Sequence, residues 1–416
     1  MLARLRQRPL DLYIAYRALA QAWPFMPLQV LYLEQRGFEL STIFDLNVVF
    51  SLATVAFEVP TGIFADRRGR RHAMALGGVV MSVACVLFVF SPGFWFYALA
   101  NVLFALAGTL ASGADSAWLY DHLEHEDQLP RYMRLEGLST AAKGIGNLVA
   151  ILIGGLLYGI APWTVFAFTA IITGVAALLA LALPEHHHAV LDGSFGEDLA
   201  RASGILANTG RLIAIMCFGA ITFVLLRIPL FADQPHLETH LTGFTIAQLA
   251  VAASLLQAGK EIGSAGLATK AGALFRRVKT RFVVPGLAVV IVGIYGIMSQ
   301  GFATLDIVLM VVLSSLFGLF SPLMRGLMNR AIPGARDRAT LLSFESMGRR
   351  LLGAAASPLF GRAVESSSLH ATFAGTGWVA VVMYVALGAY TLTTRRIVPS
   401  RGDAGAGRGA TTSYVS

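Results

Sequence analysis

Apolar runs long enough to cross a lipid bilayer follow one another through almost the whole chain of 416 residues. Only 13% of the residues are charged and 56% are hydrophobic, with a mean hydropathy of +0.67, whereas a soluble domain carries about 25% charged residues. The chain is therefore predicted to be an integral membrane protein. The same composition excludes a disordered chain, and two cysteines exclude a disulfide scaffold.

The runs predict an all-α fold with twelve transmembrane helices, because each run supplies the roughly 20 apolar residues that one crossing requires. The twelve spans are expected at residues 12–33, 41–65, 73–90, 94–118, 137–158, 163–183, 212–231, 243–268, 282–299, 304–328, 341–361 and 372–392. The N-terminal run is assigned to span 1 rather than to a cleaved leader, because Gln21, Pro24 and Pro27 interrupt it and no small-residue cleavage site follows.

Lysine and arginine are concentrated in alternate loops. The other set of loops holds only Arg36 and Arg362. The basic loops and termini are residues 1–11, 66–72, 121–134, 184–211, 269–281, 329–340 and 393–416. Because basic residues accumulate on the cytoplasmic side, both termini are predicted to be cytoplasmic and the protein to lie in a bacterial inner (plasma) membrane. The net charge of +8 is thereby explained, and no basic cluster remains for nucleic acid.

The chain contains an internal repeat. One face of span 2 carries a polar stripe with helical spacing: Asn47, Ser51, Thr54, Glu58 and Thr61. The matching stripe on span 8, shifted by 203 positions from Ser51 onwards, is Ser254, Gln257, Glu261 and Ser264. The repeat predicts two six-helix bundles related by a pseudo-two-fold axis along the membrane normal.

The domain boundaries follow from this repeat. Residues 1–183 and 211–392 are predicted to form the two bundles, and residues 184–210 a cytoplasmic linker. The Gly-rich tail, residues 393–416, is predicted to be cytoplasmic and disordered.

The loop between spans 2 and 3 carries a motif in which six of ten positions are defined. Residues 62–71 match every defining position of the signature G-x-x-x-D-(R/K)-x-G-(R/K)-(R/K), through Gly62, Asp66, Arg67, Gly69, Arg70 and Arg71. In this motif the chain resembles the major facilitator superfamily, and the resemblance implies a transporter whose cytoplasmic side is latched shut by this loop. On physical grounds, Asp66 can accept hydrogen bonds from exposed helix-end N–H groups. A plain basic anchor is the alternative for Arg68 and Arg71.

The phrases at residues 57–62 and 112–121 look like a bacterial subgroup of permeases and exporters within that family. The chain departs from the family pattern in two places. Proton-coupled members often carry an arginine in span 4, where this chain has Asn101 and Phe104. The antiporter signature in span 5 includes a Gly-Pro pair, and here the proline is missing.

Charged residues inside spans mark candidate sites, since each costs on the order of 2.5–3.5 kcal/mol at the bilayer centre. Glu58 and Glu261 occupy equivalent positions in the two halves and are the candidate proton carriers. A structural hydrogen bond is the alternative for Glu58, and an ion pair with Lys260 is the alternative for Glu261.

Polar side chains on inward faces predict the solute cavity. The candidates are Arg17, Gln21, Asn47, Thr54, Asn101, Lys143, Asn147, Gln257 and Lys260. Arg17 and Lys143 either bind an anionic solute group or neutralise Glu58 and Asp115. Arg227 either snorkels to the outer surface or contacts solute. The gate partners are predicted to be Asp115 and the i, i+4 pair Glu345 and Arg349.

Metal and enzyme chemistry are not indicated. The histidines at 186–188 and the pair His122 and His125 are interpreted as solvated loop residues, because neither group has an accompanying ligand at a zinc spacing. No catalytic motif or cofactor fingerprint is present, so no metal, cofactor or enzymatic activity is predicted.

The sequence thus predicts a monomeric secondary active transporter that exports a small organic solute or drug in exchange for protons. Uptake by proton symport or uniport is one alternative. A membrane sensor or assembly partner that transports nothing is another.

Overall fold

A computed structural model describes residues 8–185, 204–205, 209–241, 243–332 and 338–397, and within these ranges the chain is helical with no strand. Most of the predicted linker and tail, including the histidines at 186–188, lies outside the described residues.

The helices group into twelve spans, six in each half. The first half holds span 1 (Pro9–Ala20 and Gln29–Glu34), span 2 (Leu40–Arg68), span 3 (Arg70–Val89), span 4 (Phe94–Ala111 and Ala114–His125), span 5 (Tyr132–Ile160) and span 6 (Thr164–Ala182). The second half holds span 7 (Gly210–Arg227 and Pro229–His240), span 8 (Ile246–Arg277), span 9 (Thr280–Met298), span 10 (Ala303–Ser315 and Phe317–Ala331), span 11 (Arg338–Ser366) and span 12 (Leu369–Ile397).

Four spans are interrupted, and they occupy equivalent places in the two halves: spans 1 and 7, and spans 4 and 10. A short 3-10 turn, Met26–Leu28, precedes the second part of span 1. Gly113 breaks span 4 with a φ of +85°, a conformation that favours glycine. Pro229 starts the second part of span 7, where its missing N–H costs nothing.

Eight helices among the described residues are long and apolar enough to cross a membrane, and Phe282–Met298 is a shorter apolar helix. Large apolar side chains are exposed on the outside of the bundle, for example Trp95, Ile160 and Trp378. Exposed apolar surface on this scale is expected of a protein whose surroundings are lipid.

Several helices continue beyond their predicted ends. Span 8 extends to Arg277 and span 11 to Ser366. Span 12 continues to Ile397, so the first residues of the predicted tail are helical. Span 4 continues to His125, and His122 is buried and stacks on Trp118 with ring centroids 5.0 Å apart. The interpretation of His122 as a solvated loop residue is therefore wrong, because the helix carries it into contact with an aromatic ring.

Two equivalent helix pairs form the interface between the halves. Span 2 packs on span 11, and span 8 packs on span 5. These pairs exchange under the repeat that relates the halves, as pseudo-two-fold symmetry requires.

The two ends of the bundle differ. We call the end that carries the loops at 66–72 and 269–281 the basic end, and the opposite end the far end. The halves are in contact towards the far end, where the Ser41 N–H donates to the Glu365 carboxylate at 2.7 Å and the Asn47 amide donates to the Ser357 hydroxyl at 2.9 Å. Gly155 is buried there, and a Cβ at this position would lie 2.6 Å from the Ser254 hydroxyl oxygen.

Towards the basic end the halves separate. No residue is buried between positions 140 and 149 of span 5 or between positions 261 and 270 of span 8. Both stretches pack within their own half, since a Cβ at Gly146 would meet the Ala18 carbonyl and one at Gly263 the Ser315 hydroxyl, so their exposed faces are those turned towards the other half. The space between the halves is therefore closed at the far end and open at the basic end.

Candidate functional site

A cavity of about 290 Å³ lies between the halves, near the middle of the spans. Residues from both halves line it, and its walls combine aromatic rings with polar side chains. The aromatic lining residues include Trp23, Phe25, Phe50, Phe104 and Phe223. The polar and charged lining residues include Gln21, Asn47, Ser51, Asn101, Asn147, Arg227, Asp233, Gln234, Gln257, Glu261, Arg350 and Ser357. Mixed walls of this kind are typical of small-molecule sites.

Six of the residues predicted from the sequence line this cavity: Gln21, Asn47, Asn101, Asn147, Gln257 and Glu261. Two of the asparagines have partners within the first half. The Asn147 side-chain oxygen accepts from the Trp23 backbone N–H at 3.4 Å, and the Asn101 side-chain oxygen accepts from the Gln29 side-chain amide at 3.5 Å. Thr54 is buried outside the cavity and donates to the Phe50 carbonyl at 2.7 Å.

Arg17 belongs to a buried ion-pair network. Its guanidinium bonds to the Asp115 carboxylate, and both side chains are only 7% exposed. Glu136 on span 5 lies 3.4 Å from Arg17 and accepts from the Ser116 hydroxyl at 2.8 Å. The network joins spans 1, 4 and 5, and it neutralises Arg17 internally. Of the two interpretations of Arg17, the structure therefore has the internal network, with Asp115 and Glu136 as partners and not Glu58.

A second buried ion pair lies in the other half. Lys260 on span 8 bonds to Asp233 on span 7, and the Lys260 side chain is 3% exposed. Lys260 is not a partner of Glu261, because consecutive residues on a helix lie on different faces. Asp233 lines the cavity, so this pair forms part of the cavity wall.

The two candidate proton carriers lie in different surroundings. Glu261 is exposed in the cavity and accepts from the Gln257 amide at 3.1 Å. Glu58 is half-buried, and one of its carboxylate oxygens is buried without a hydrogen-bond partner among the described residues. Glu58 lies within electrostatic range of Arg349. The equivalence that the repeat predicts is thus not reproduced by the contacts of the two side chains.

The arginines that line the cavity belong to the second half. Glu345 is buried and lies 2.9 Å from Arg349, so the predicted i, i+4 pair is present in the geometry. The Arg349 guanidinium lies 5.2 Å from the Phe223 ring. Arg227 and Arg350 line the cavity next to this pair. Lys143, in the first half, lies within electrostatic range of Glu261 and forms no ion pair among the described residues.

The loop motif at residues 62–71 has a different hydrogen-bond arrangement from the predicted one. Span 2 continues to Arg68, and the turn is made at Gly69 with a φ of +100°. Glu185 accepts from the N–H groups of Arg70 and Arg71 at 3.0 and 3.2 Å. The residue that caps span 3 is therefore Glu185 and not Asp66, because Asp66 is still in the last turn of the preceding helix.

The remaining motif residues divide between the two sides of the turn. Arg70 contacts Asp121 at 2.9 Å, and the Arg71 guanidinium donates to the Leu183 carbonyl at 3.1 Å. Asp66 is exposed and has no hydrogen-bond or ion-pair partner among the described residues. An exposed Asp66 is what a latch would show while the basic end is open.

Replacing Asp66 with asparagine is expected to shift the protein further towards the state that is open at the basic end and to slow transport. Loss of charge-assisted hydrogen bonds in the closed state should change the closed-to-open ratio about ten- to a hundred-fold. Distances between spin labels on the two halves at the basic end measure this ratio. Glu185→Gln is the control, because its bonds lie within one half and its loss should lower thermal stability instead. Wild-type distances and transport in Asp66→Asn would rule out the latch.

The carboxyl groups of Glu34 on span 1 and Glu238 on span 7 lie within electrostatic range of each other at the far end, where the two halves are in contact.

A cluster of metal-ligand residue types also lies at the far end of the second half. One potential ligand atom each from His236, Asp306 and His370 lies within 4.8 Å of the others. His370 and Asp306 approach to 3.6 Å. This cluster was not predicted, because its members are on spans 7, 10 and 12 and lie far apart in the sequence.

A cavity between two six-helix halves, closed at one end and open at the other, defines a membrane transporter. Residues 13–264 match the family model described as Major Facilitator Superfamily. The chain belongs to the major facilitator superfamily and is a multi-pass membrane protein.

Relatives support the same family. The uncharacterized MFS-type transporter YxaM of Bacillus subtilis is 30% identical over 121 residues, which are 29% of this chain and 30% of that protein. The multidrug resistance protein MdtG of Rahnella sp. is 28% identical over 179 residues, covering 41% of this chain and 40% of that protein. The matched stretch is thus less than half the length of each of these relatives.

Solved structures show the fold over nearly the whole chain. The nucleoside transporter NupG aligns with a TM-score of 0.72 at 13% identity over 93% of this chain and 99% of that chain. A bacterial homolog of the human lysosomal transporter Spinster, inward-facing and occupied, aligns with a TM-score of 0.69 at 15% identity over 94% and 97%. The prediction of two six-helix bundles related along the membrane normal is confirmed.

Proposed function

We propose that the protein is a secondary active transporter that moves a small organic solute by alternating access, with protons as the coupling ion. The observation that carries the proposal is the cavity between the halves, which is lined by both of them and accessible from one end only. Rocking of the halves about this cavity would expose it to each side of the membrane in turn.

We place the basic end in the cytoplasm, because lysine and arginine accumulate on that side of a membrane. On this basis both termini are cytoplasmic and the cavity faces inward. A bacterial inner membrane is the proposed location, and a monomer is the proposed functional unit, since each chain holds a complete cavity.

Proton coupling is assigned to Glu261 in the first place and to Glu58 in the second. The assignment to Glu261 is better supported than the assignment to Glu58, because the Glu261 carboxylate is exposed in the cavity, where water and solute reach it. A carboxyl group with access to the cavity can bind a proton in one orientation and release it in the other.

Export is the proposed direction, and the likeness to the multidrug resistance protein MdtG supports it. Uptake by proton symport is the second candidate. The arginines that line the cavity favour symport. An anionic solute neutralises the positive charge of an arginine and a proton neutralises the negative charge of a carboxylate, so the two can occupy the cavity together.

Flux into proteoliposomes, measured over a panel of anionic, neutral and cationic solutes with and without an imposed pH gradient, tests the proposal. At least one solute should accumulate against its gradient when the pH gradient is present. The sign of the gradient that drives accumulation distinguishes exchange from symport. Absence of flux for every solute from folded, correctly inserted protein would contradict transport.

A further inference from the structure

Two arginines project into the same cavity from different spans of the second half. Arg227 ends the first part of span 7, and Arg350 lies on span 11. Both line the cavity. Neither has an ion-pair partner within the part of the chain that the structure describes, and the Nε of Arg350 is buried without a hydrogen-bond partner.

Aromatic rings hold Arg227 in place without compensating its charge. The Arg227 guanidinium lies 5.6 Å from the Phe223 ring and 6.0 Å from the Phe317 ring. Aromatic faces attract a cation but carry no net charge. Arg227 and Arg350 also lie within electrostatic range of each other, so they repel, and a shared anion between them would relieve that repulsion.

The neighbouring basic residues already form ion pairs with carboxylates. Arg349 is paired with Glu345, Lys260 with Asp233, and Arg17 with Asp115. Since Asp233 is held by Lys260, the carboxylate in the cavity that remains for Arg227 and Arg350 is Glu261, which lies within electrostatic range of Arg227. Two arginines thus face one available carboxylate.

We propose that Arg227 and Arg350 bind the oxyanion of the transported solute, an organic carboxylate or phosphate monoester with an aromatic or similarly apolar body. The proposal rests on the proposed transport function and names its substrate class. Guanidinium groups are suited to such oxyanions because their N–H donors match two oxygens at once. The aromatic walls formed by Trp23, Phe25 and Phe104 accommodate the apolar body.

Glu261 competes with the solute for this site. Its carboxylate and the solute oxyanion carry the same charge, and both are attracted to Arg227. Glu261→Gln removes the competing charge, so this variant should bind the anion more tightly than the wild type.

Binding to the purified full-length protein tests the proposal. The probes are benzoate, 2-naphthoate and phenyl phosphate, each paired with a neutral analogue of the same shape: benzamide, 2-naphthamide and phenol. The readouts are the ligand-dependent rise of Tm and direct equilibrium binding. At least one anion should bind and its neutral analogue should not.

The variants then locate the site. Arg350→Gln and Arg227→Gln should each weaken anion binding about ten- to a hundred-fold, whereas Arg350→Lys should retain part of the affinity. Arg362→Gln is the matched control, because Arg362 also lies on span 11, is exposed and does not line the cavity, so this variant should bind the anion as the wild type does. Lys143→Gln tests the alternative that the anion is bound in the first half. If one arginine variant fails to fold, the other and Arg350→Lys still decide the result.

Three results would overturn the inference: no binding of any of the three anions to folded protein, equal affinity in wild type and both arginine variants, or loss of binding in Lys143→Gln alone. The anion site and the transport function can be refuted independently of each other. Flux of a neutral or cationic solute that Arg350→Gln leaves unchanged would refute the anion site and support transport, whereas anion binding without any flux would support the site and refute transport.

Discussion

Glu261→Gln is expected to abolish proton-driven solute accumulation and to leave solute exchange across the membrane intact. Glutamine keeps the size of the side chain and its polar contact with Gln257, but it cannot bind or release a proton. With one proton per solute, a gradient of one pH unit sustains a concentration ratio of about ten, equivalent to about 1.4 kcal/mol. In the variant this ratio should fall to about one.

The measurement compares accumulation and counterflow in the same proteoliposomes. Glu58→Gln is the companion variant, because Glu58 is half-buried near Arg349 and does not line the cavity. It should retain accumulation if Glu261 is the carrier. Loss of accumulation in Glu58→Gln alone would transfer the role to Glu58, and normal accumulation in the double variant would exclude both residues.

Asp115→Asn is expected to destabilise the protein by about 3–5 kcal/mol, because it leaves the buried Arg17 without its principal counter-charge. The nearby Glu136, 3.4 Å from Arg17, should keep the loss towards the lower end of this range. Thermal unfolding in detergent and the yield of membrane-inserted protein both report the change. Solute affinity of the surviving folded fraction should be unaltered, since Arg17 does not line the cavity.

A double variant distinguishes a stranded charge from a general packing defect. Arg17→Met combined with Asp115→Leu should regain most of the stability, because apolar residues of similar volume replace a buried ion pair at little or no cost. Asp11→Asn is the control in the same span. The Arg8–Asp11 pair is solvent-exposed, at 79% and 65% side-chain exposure, and its loss should leave the unfolding temperature unchanged. A double variant as unstable as Asp115→Asn would refute the charge argument.

The fold could be predicted from the sequence because each feature that defines it can be recognised in the sequence without knowledge of tertiary contacts. The length of an apolar run gives a span, and the alternation of basic loops gives a topology. A polar stripe that recurs 203 positions later gives the two halves. The interruptions of spans 4, 7 and 10 were not predicted, because each affects only one or two residues within an otherwise continuous run.

The site could be predicted only in part. Helical spacing identifies the inward face of a span, and so Asn47 on span 2 and Gln257 on span 8 were selected and line the cavity. Spacing within one helix contains no information on the depth and rotation of its neighbours. For this reason the ion pair of Lys260 with Asp233 and the cap that Glu185 provides were not predicted, since each joins residues on different elements.

The uneven distribution of charge between the halves is expected to make transport sensitive to membrane voltage. In the empty cavity, Arg227 and Arg350 outweigh an ionised Glu261 by one positive charge, and reorientation of the halves changes the side of the membrane to which that charge is exposed. A membrane potential acts on a fully transferred charge with about 2.3 kcal/mol per 100 mV. A monovalent anion bound by the arginines cancels this charge as long as Glu261 is ionised, as in the solute-bound state of the proposed proton exchange. The return of the solute-free carrier should therefore be the electrogenic step, and transient currents recorded without solute should disappear at saturating solute.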